Sequence, residues 1–356
     1  MSIERMYQVL GRTLWRAMLV LVVCLAVYVA GARALLSALP MYQQSVADWL
    51  AQQTGLNYQI ANIQGDIEKF QPSIQVTGLH IVLPSGLPIA FESAALTVDP
   101  WASLLARQIR LDTLRLNGLA VDLPVDALSI NGGNGSAARL AAGLLVAFRK
   151  VTIEQTEIWL VGAEGSRERL DLTLDLHRAG SKRQLAVELK GPDSSYLSIS
   201  GSSVGDILQL DRFAGELYGH LNLPNAEWLS TLLGYSFNAN GNFDFWYQSN
   251  SLEPNIEVSL DLSDLIWTHQ DGRISKLDNL AFDAGVNLQP AGWTGRLQSF
   301  AMSAADTGFT LDRFQIESRG DSLQFNTQAM DVGDLAAAVV ASGLLPSKVS
   351  KIFSEL

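Results

Sequence analysis

Across most of the chain, apolar residues recur at every second position. Leu170, Leu172, Leu174 and Leu176 face one way while Asp171, Thr173, Asp175 and His177 face the other. The same split recurs at Leu185, Val187 and Leu189, at Leu217, Leu221 and Leu223, and at Phe243, Phe245 and Tyr247. It returns at Ile256, Val258, Leu260 and Leu262, and at Leu280, Phe282, Val286 and Leu288. Each run predicts a strand with one apolar and one wet face. Nearer the N-terminus, Ile74 and Val76, then Leu79 and Ile81, Ile89 and Phe91, and Leu96 and Val98 repeat the pattern, with Pro84, Gly86 and Pro88 supplying turns. Strand resumes over 109–123, where Asn117-Gly118 predicts a hairpin. Helical spacing is confined to 43–54, ended by Gly55, to 101–107 behind Asp99-Pro100, to 137–148, to 224–233, and to a tail from Val332 broken near Gly343 and Pro346.

Some fifteen half-amphipathic strands must bury their apolar faces. The available solutions are a closed barrel, a two-sheet sandwich, or one long curved sheet whose inner face is covered by something else. Pattern alone leaves sandwich and trough open. The stretch from Ala17 to Ala32, uncharged between Arg16 and Arg33, argues against an outer-membrane barrel, because it predicts retention in an inner membrane. Leu14, Trp15, Leu19, Leu21, Val23, Leu25, Val27, Leu35 and Leu36 give a spanning helix over 14–36. Arg5, Arg12 and Arg16 against Glu4 put the N-terminus in the cytoplasm and the bulk of the chain in the periplasm. The rival reading is a cleaved signal peptide, with small-x-small sites at Ala30-Gly31-Ala32 and Ala32-Arg33-Ala34. Arg16, Arg33, Tyr42 and Trp49 are placed at the bilayer interface.

Charge narrows the partners. Of 25 basic and 36 acidic residues, four basic and one acidic precede residue 34, which leaves 21 against 35 beyond it, a charge of −14. So acidic a segment lacks the clustered Lys and Arg that nucleic acid requires. Cys24, the single cysteine, lies in the apolar stretch, so no intramolecular disulfide is possible.

Candidate chemistry is sparse. Gly201-Ser202-Ser203-Val204-Gly205 has the letters of a serine-nucleophile elbow, but that elbow needs a buried strand before it and a helix after it, and more strand follows here; a polar turn is the expectation. Gly133 to Ala138 has the letters of a dinucleotide loop without a parallel βαβ unit around it, and reads as a hinge. His80, His177, His220 and His269 are scattered, none within a helical turn of another. No catalytic or metal site and no cofactor is expected. The apolar strand faces are the most informative chemistry, a surface able to shield acyl chains at about 0.8 kcal/mol per methylene.

This arrangement resembles the AsmA-like family of Gram-negative envelope proteins, most closely its large YhdP-type members. The resemblance rests on the apolar stretch followed by residues 39–86, on LTVDPWASLLARQIRLDTLRLNGLAVDLP at 96–124, and on AGELYGHLNLPNAEWLSTLLG at 214–234 with GNFDFWYQ at 241–248. It implies an inner-membrane helix followed by a long, bent, mainly antiparallel β-sheet whose hydrophobic groove carries phospholipid, with the inner membrane and phospholipid as partners. YhdP-type chains are several times longer, and fifteen strands at about 4.8 Å span only about 70 Å. The chain is therefore expected to be a truncated copy, or a short member that needs the missing C-terminal part or further envelope proteins. Three segments are expected: an N-terminal anchor over 1–40, an AsmA-like β unit over 41–130, and a continuation of the groove over 131–356. Residues placed in the groove are Ile74, Val76, Leu172, Leu174, Leu176, Val187, Leu217, Leu221, Phe243, Phe245, Val258, Leu260, Phe282 and Val286. Lipid conduction without a reaction leads. The alternatives are an envelope assembly factor built on a closed sandwich, and a hydrolase using Ser203.

Overall fold

Sixteen strands of one sheet, ordered largely as they follow one another in the chain, make up most of this computed structural model. It describes residues 3–54, 57–68, 71–82, 88–107, 110–124, 148–162, 165–204, 214–233, 236–250, 254–269, 272–289, 292–319, 322–327 and 331–343. The expected joint at 131–136, the dinucleotide-like loop and all of the expected 137–148 helix except Phe148 lie outside these residues, as do Gly205 and everything after Gly343.

The N-terminal helix α1 (Ile3–Ala38) passes through a one-turn 3₁₀ segment (Leu39–Tyr42) into α2 (Gln43–Thr54). Three antiparallel strands follow, β1 (Asn57–Glu68), β2 (Gln71–Val82) and β3 (Pro88–Val98), then α3 (Pro100–Ala106) and β4 (Leu111–Pro124). Next come β5 (Lys150–Glu154), β6 (Glu157–Val161), β7 (Arg167–Ala179), β8 (Lys182–Lys190), β9 (Tyr196–Val204) and β10 (Ala214–Leu223). After α4 (Trp228–Leu233) the meander continues as β11 (Phe237–Asn250), β12 (Asn255–Thr268), β13 (Ile274–Gln289), β14 (Gly292–Ala304), β15 (Thr307–Arg319) and β16 (Ser322–Thr327), and α5 (Val332–Ala341) follows. Pairing is mostly antiparallel; β6 departs from the sequential order by running parallel to β4 while pairing β7. The fold is thus the mainly β, single-sheet one expected, and the described strands form no second sheet to close a sandwich.

Two local expectations are corrected. Residues 111–124 are one continuous strand: Gly118 adopts φ 65° inside it, so the Asn-Gly pair is absorbed as an irregularity of β4 instead of reversing the chain. Gly201 to Val204 is the interior of β9 and not a turn, paired on both sides with β8 and β10.

The chain divides into two units, Met1–Asn117 and Gly118–Leu356. In the first, Gly65 lets the end of α1 reach the sheet, since a Cβ there would fall 2.6 Å from Leu36 Cβ. Leu36 and Ala47 are buried on this contact, and the Gln43 amide donates to the Ala61 carbonyl at 3.3 Å. In the second unit, α4 and α5 lie over one margin of the sheet. Ala226, Ala239, Leu265, Leu277, Met302, Phe309 and Ala338 form a filled core beneath them. Helix α5 is fixed at both ends: the Asp331 carboxylate accepts from the amides of Gly333 and Asp334, and the Gly343 carbonyl accepts from Ser275 Oγ at 2.8 Å. Because Leu277 is only 1 % exposed, Leu277→Ala is expected to cost about 2–5 kcal/mol, read as a lower midpoint in denaturant unfolding of the full chain.

Candidate apolar trough

Antiparallel pairing sets one apolar residue opposite the next from strand to strand, and the second unit carries this across nine strands. A first row runs Leu172, Leu189, Leu197, Leu221, Phe243, Leu260, Phe282, Phe300 and Leu311, each paired with its neighbour. A second, two residues along each strand through β13 and three along β14 and β15, runs Leu174, Val187, Ile199, Gly219, Phe245, Val258, Ala284, Leu297 and Phe314. A third runs Leu176, Leu185, Gly201, Leu217, Tyr247, Ile256, Val286, Gly295 and Ile316, and reaches Phe325 on β16. A register shift at Asp283/Ala284 keeps Leu297 and Phe300 on the same face, where strict alternation along β14 would have separated them. At about 4.8 Å between strands, β7 to β15 make an apolar strip of about 38 Å.

The rows are not equally covered. The parallel row Leu223, Gly241, Leu262, Leu280, Met302 and Phe309 belongs to the core under α4 and α5, and Phe300 and Leu311 of the first row lean on it. Most of the second and third rows are half-buried side chains. Along the third, Leu176, Leu185, Gly201, Leu217, Tyr247 and Ile256 border an open depression of about 400 Å³, joined by Phe245 of the second row. Two glycines give this floor its relief. A Cβ on Gly219 would overlap the Phe245 ring, which lies across it, and one on Gly201 would overlap the Glu216 carbonyl and the Leu217 side chain.

The opposite face is wet and cross-linked. Tyr218 Oη donates to Asp244 Oδ1 at 2.7 Å, and His220 Nδ1 stands 2.6 Å from the same oxygen. Asn222 donates to Asn242 at 2.7 Å, Ser299 donates to Asp283 at 2.8 Å, and Arg296 pairs with Glu257. Burial raises the Asp244 pKa, but the hydrogen bonds from Tyr218 and His220 outweigh it and hold the group below the ordinary carboxylate value. The hydrogen bond to Asp244 in turn raises the Tyr218 phenol.

The expected groove residues separate accordingly. Leu172, Leu221, Phe243, Leu260 and Phe282 fall in the first row, Leu174, Val187, Phe245 and Val258 in the second, and Leu176, Leu217 and Val286 in the third. Ile74 and Val76 belong to the other unit, paired with Leu96 and Ala94 on the face against which Leu36 packs. Sequence reasoning missed the contributions of β14 and β15, because the shift in register hides their alternation.

Of the expected anchor residues, Leu14, Trp15, Leu19, Leu21, Val23, Leu25, Val27 and Leu35 are exposed along α1, as are Arg16 and Arg33. Leu36 instead packs on the sheet, which ends the exposed apolar run of the helix before it. The apolar segment has a mean hydropathy of 2.4 and is 6 % buried, long and apolar enough to cross a membrane. Tyr42 is exposed; the side chain of Trp49 lies outside those described. In the same unit, the Asp99 carboxylate accepts from the Ala102 amide, and the Ser103 hydroxyl donates to the Asp99 carbonyl and accepts from the Arg110 amide, which occupies the polar side of α3. Trp101, Leu104 and Leu105 are left 72 %, 69 % and 85 % exposed. Ser203, the hydrolase candidate, is buried inside β9, which pairs with β8 on one side and β10 on the other.

Two outcomes follow from this geometry. Gly219→Val should displace the Phe245 ring and lower stability by about 1–3 kcal/mol, visible in thermal melts and in the near-ultraviolet circular dichroism of the aromatic side chains. Asp244 has a depressed folded-state pKa, so its contribution is present above the unfolded carboxylate value of about 4 and is lost as pH falls through the folded one. Asp244→Asn should therefore destabilise the chain at neutral pH, and the gap to the wild type should close on acidification.

A search among curated proteins returns no match to the chain. The family described as YhdP protein matches over residues 1–356, the whole sequence. With an apolar N-terminal helix and a single long sheet already in view, that match is decisive: the chain belongs to the YhdP family.

Proposed function

We propose that the second unit shields acyl chains of phospholipids in the three-row trough and lets them move along it, without chemical change. Membership of the YhdP family suggests a lipid-transport-related envelope protein, and the N-terminal apolar helix is consistent with a single-pass inner-membrane anchor. The observation that carries the finer reading is the unbroken cross-strand succession of apolar residues from β7 to β15, left half-buried instead of filled. A protein core of this composition packs to the density of an organic crystal. A strip that stays open and keeps one polarity over nine strands suits a flexible apolar chain that slides, because every position offers the same non-directional attraction.

In this reading α1 tethers the chain, with its N-terminus in the cytoplasm and the sheet in the periplasm, and the exposed side of α3 rests in the bilayer interface, where Trp and Leu beside Arg are favoured. The wet face, with its carboxylates and bonded serines, stays in solvent and discourages edge pairing. The assembly-factor reading loses the closed sandwich on which it was built, since the described strands form one sheet.

Lipid co-purification tests the reading. Leu172→Asp with Leu174→Asp puts two carboxylates into adjacent rows; the full chain should still express and keep its strand content, while mass spectrometry of the detergent-extracted protein shows bound phospholipid lost. Unchanged bound lipid would remove the trough assignment.

A further inference from the structure

Beyond the third row, on the same face, the chemistry changes abruptly. Val151 pairs with Leu176 and Leu176 with Leu185, so the next row on these strands is Arg149, Arg178 and Arg183, followed by Ser203, Gly215 and Ser249. The Arg178 amide donates to the Arg149 carbonyl at 2.7 Å, which confirms the step from β5 to β7. Three arginines thus occupy consecutive places at the margin of the trough, in a segment carrying 35 acidic residues, and no Asp or Glu stands in the row from Arg149 to Ser249. Glu216 also borders the depression; by the alternation of β10 its side chain belongs to the wet face, where its carboxylate accepts from Ser202 Oγ at 3.3 Å.

Arg178 and Arg183 are direct cross-strand partners. Like charges in that position repel, and a fold that needed only stability would place opposite charges there. Arg178 uses Nε to donate to the Gly180 carbonyl at 3.1 Å. Arg183 lies against the open depression, and its Nη1 is buried without a hydrogen-bond partner among the described residues. A guanidinium in that condition is a donor awaiting an acceptor, and its planar fork matches phosphate oxygens. The row sits about 7 Å along the strands from Leu176, Leu185 and Gly201, two residues at about 3.3 Å each.

We propose that the Arg178–Arg183 margin holds the phosphate of a phospholipid whose acyl chains lie in the trough. The arrangement is amphipathic in cross-section: guanidinium groups at one margin, three apolar rows in the middle, and the helix-covered core at the other margin. The phosphate neutralises the opposed arginines and gives Arg183 Nη1 its partner, while the depression along the third row receives the first part of the chain. Transfer is thereby selective for lipids with a phosphate over neutral lipids with the same tails. The inference rests on the trough reading above.

The test uses the full chain in detergent, with dioleoylphosphatidylglycerol and dioleoylglycerol as probes that share acyl chains and differ in the phosphate. The wild type should prefer the phospholipid by about tenfold, and Arg178→Gln with Arg183→Gln should bring that ratio close to one while dioleoylglycerol still binds. A ratio unchanged by the double substitution overturns the headgroup site and leaves the trough standing. Binding of neither lipid by the wild type overturns the trough itself. Inorganic phosphate serves as the third arm: if it raises the melting temperature of the wild type as much as the phospholipid does, the margin is a free-anion site and the headgroup assignment fails. A structural role is separated by the lipid-free Arg183→Gln chain. It should melt at or above the wild-type temperature, since like-charge opposition is relieved, and a clear drop would show that Arg183 serves the fold instead.

Discussion

An antiparallel sheet with one apolar face has to cover that face, and in the second unit the covering is partial. Helices α4 and α5 cover one margin over a buried core around Leu277, Met302 and Ala338. The next rows along the strands keep the same apolar character, and among the described residues no equivalent layer lies above them. Burial is the main driving force of folding, and leaving this much apolar surface half-exposed forgoes stability that a second layer would have supplied. The unit stays folded because its strands are long, paired on both sides through β15, and tied together on the wet face by cross-strand hydrogen bonds such as those of Asp244 and Asp283.

That division of labour explains the composition. Carboxylates and serines concentrate where the sheet meets water, and they supply the lateral bonds that the open face cannot. The arginines are distributed differently. Arg167 and Arg169 pair with Asp122 and with Glu157 and Asp171 in solvent-exposed bridges. Such pairs contribute little to stability, whereas Arg178 and Arg183 face one another at the edge of the apolar rows. Glycine has a specific place here too. Gly219 leaves room for the Phe245 ring to lie flat over β10, which keeps the second row level, and Gly65 does the corresponding service where the end of α1 meets β1.

Much of this was legible in the residues. Alternation is a local property, so nearly every strand from Leu170 onward shows itself in its own sequence, and so do the helices at 43–54 and 101–107. Register is not local. Which leucine stands opposite which depends on the partner strand, and the shift at Asp283/Ala284 reverses the parity of β14 without any mark in composition. Asn117-Gly118 misled for a related reason: the pair permits a left-handed residue, and whether that residue reverses a strand or bends it is decided by neighbours elsewhere in the chain. Gly201 to Gly205 gave the letters of a nucleophile elbow because a glycine that makes room for Leu217 and serines that face β8 and β10 happen to have the same spacing. The arginine margin could have been noticed, since Arg183 has the same parity as Leu185, Val187 and Leu189. Its meaning required the pairing with Arg178.

The central claim is that lipid lies along one face of one sheet, over a length of many strands. Photocrosslinking reads this directly, with a benzophenone side chain placed singly at Leu197, Phe243, Leu260 and Phe282 of the first row and, for contrast, at Ser198, Asn242, Asp283 and Ser299 on the wet face. Irradiation of the membrane-embedded full chain should give phospholipid adducts at each of the four row positions and none at the four wet ones. Adducts spread equally over both faces, or absent from the row, would contradict the account.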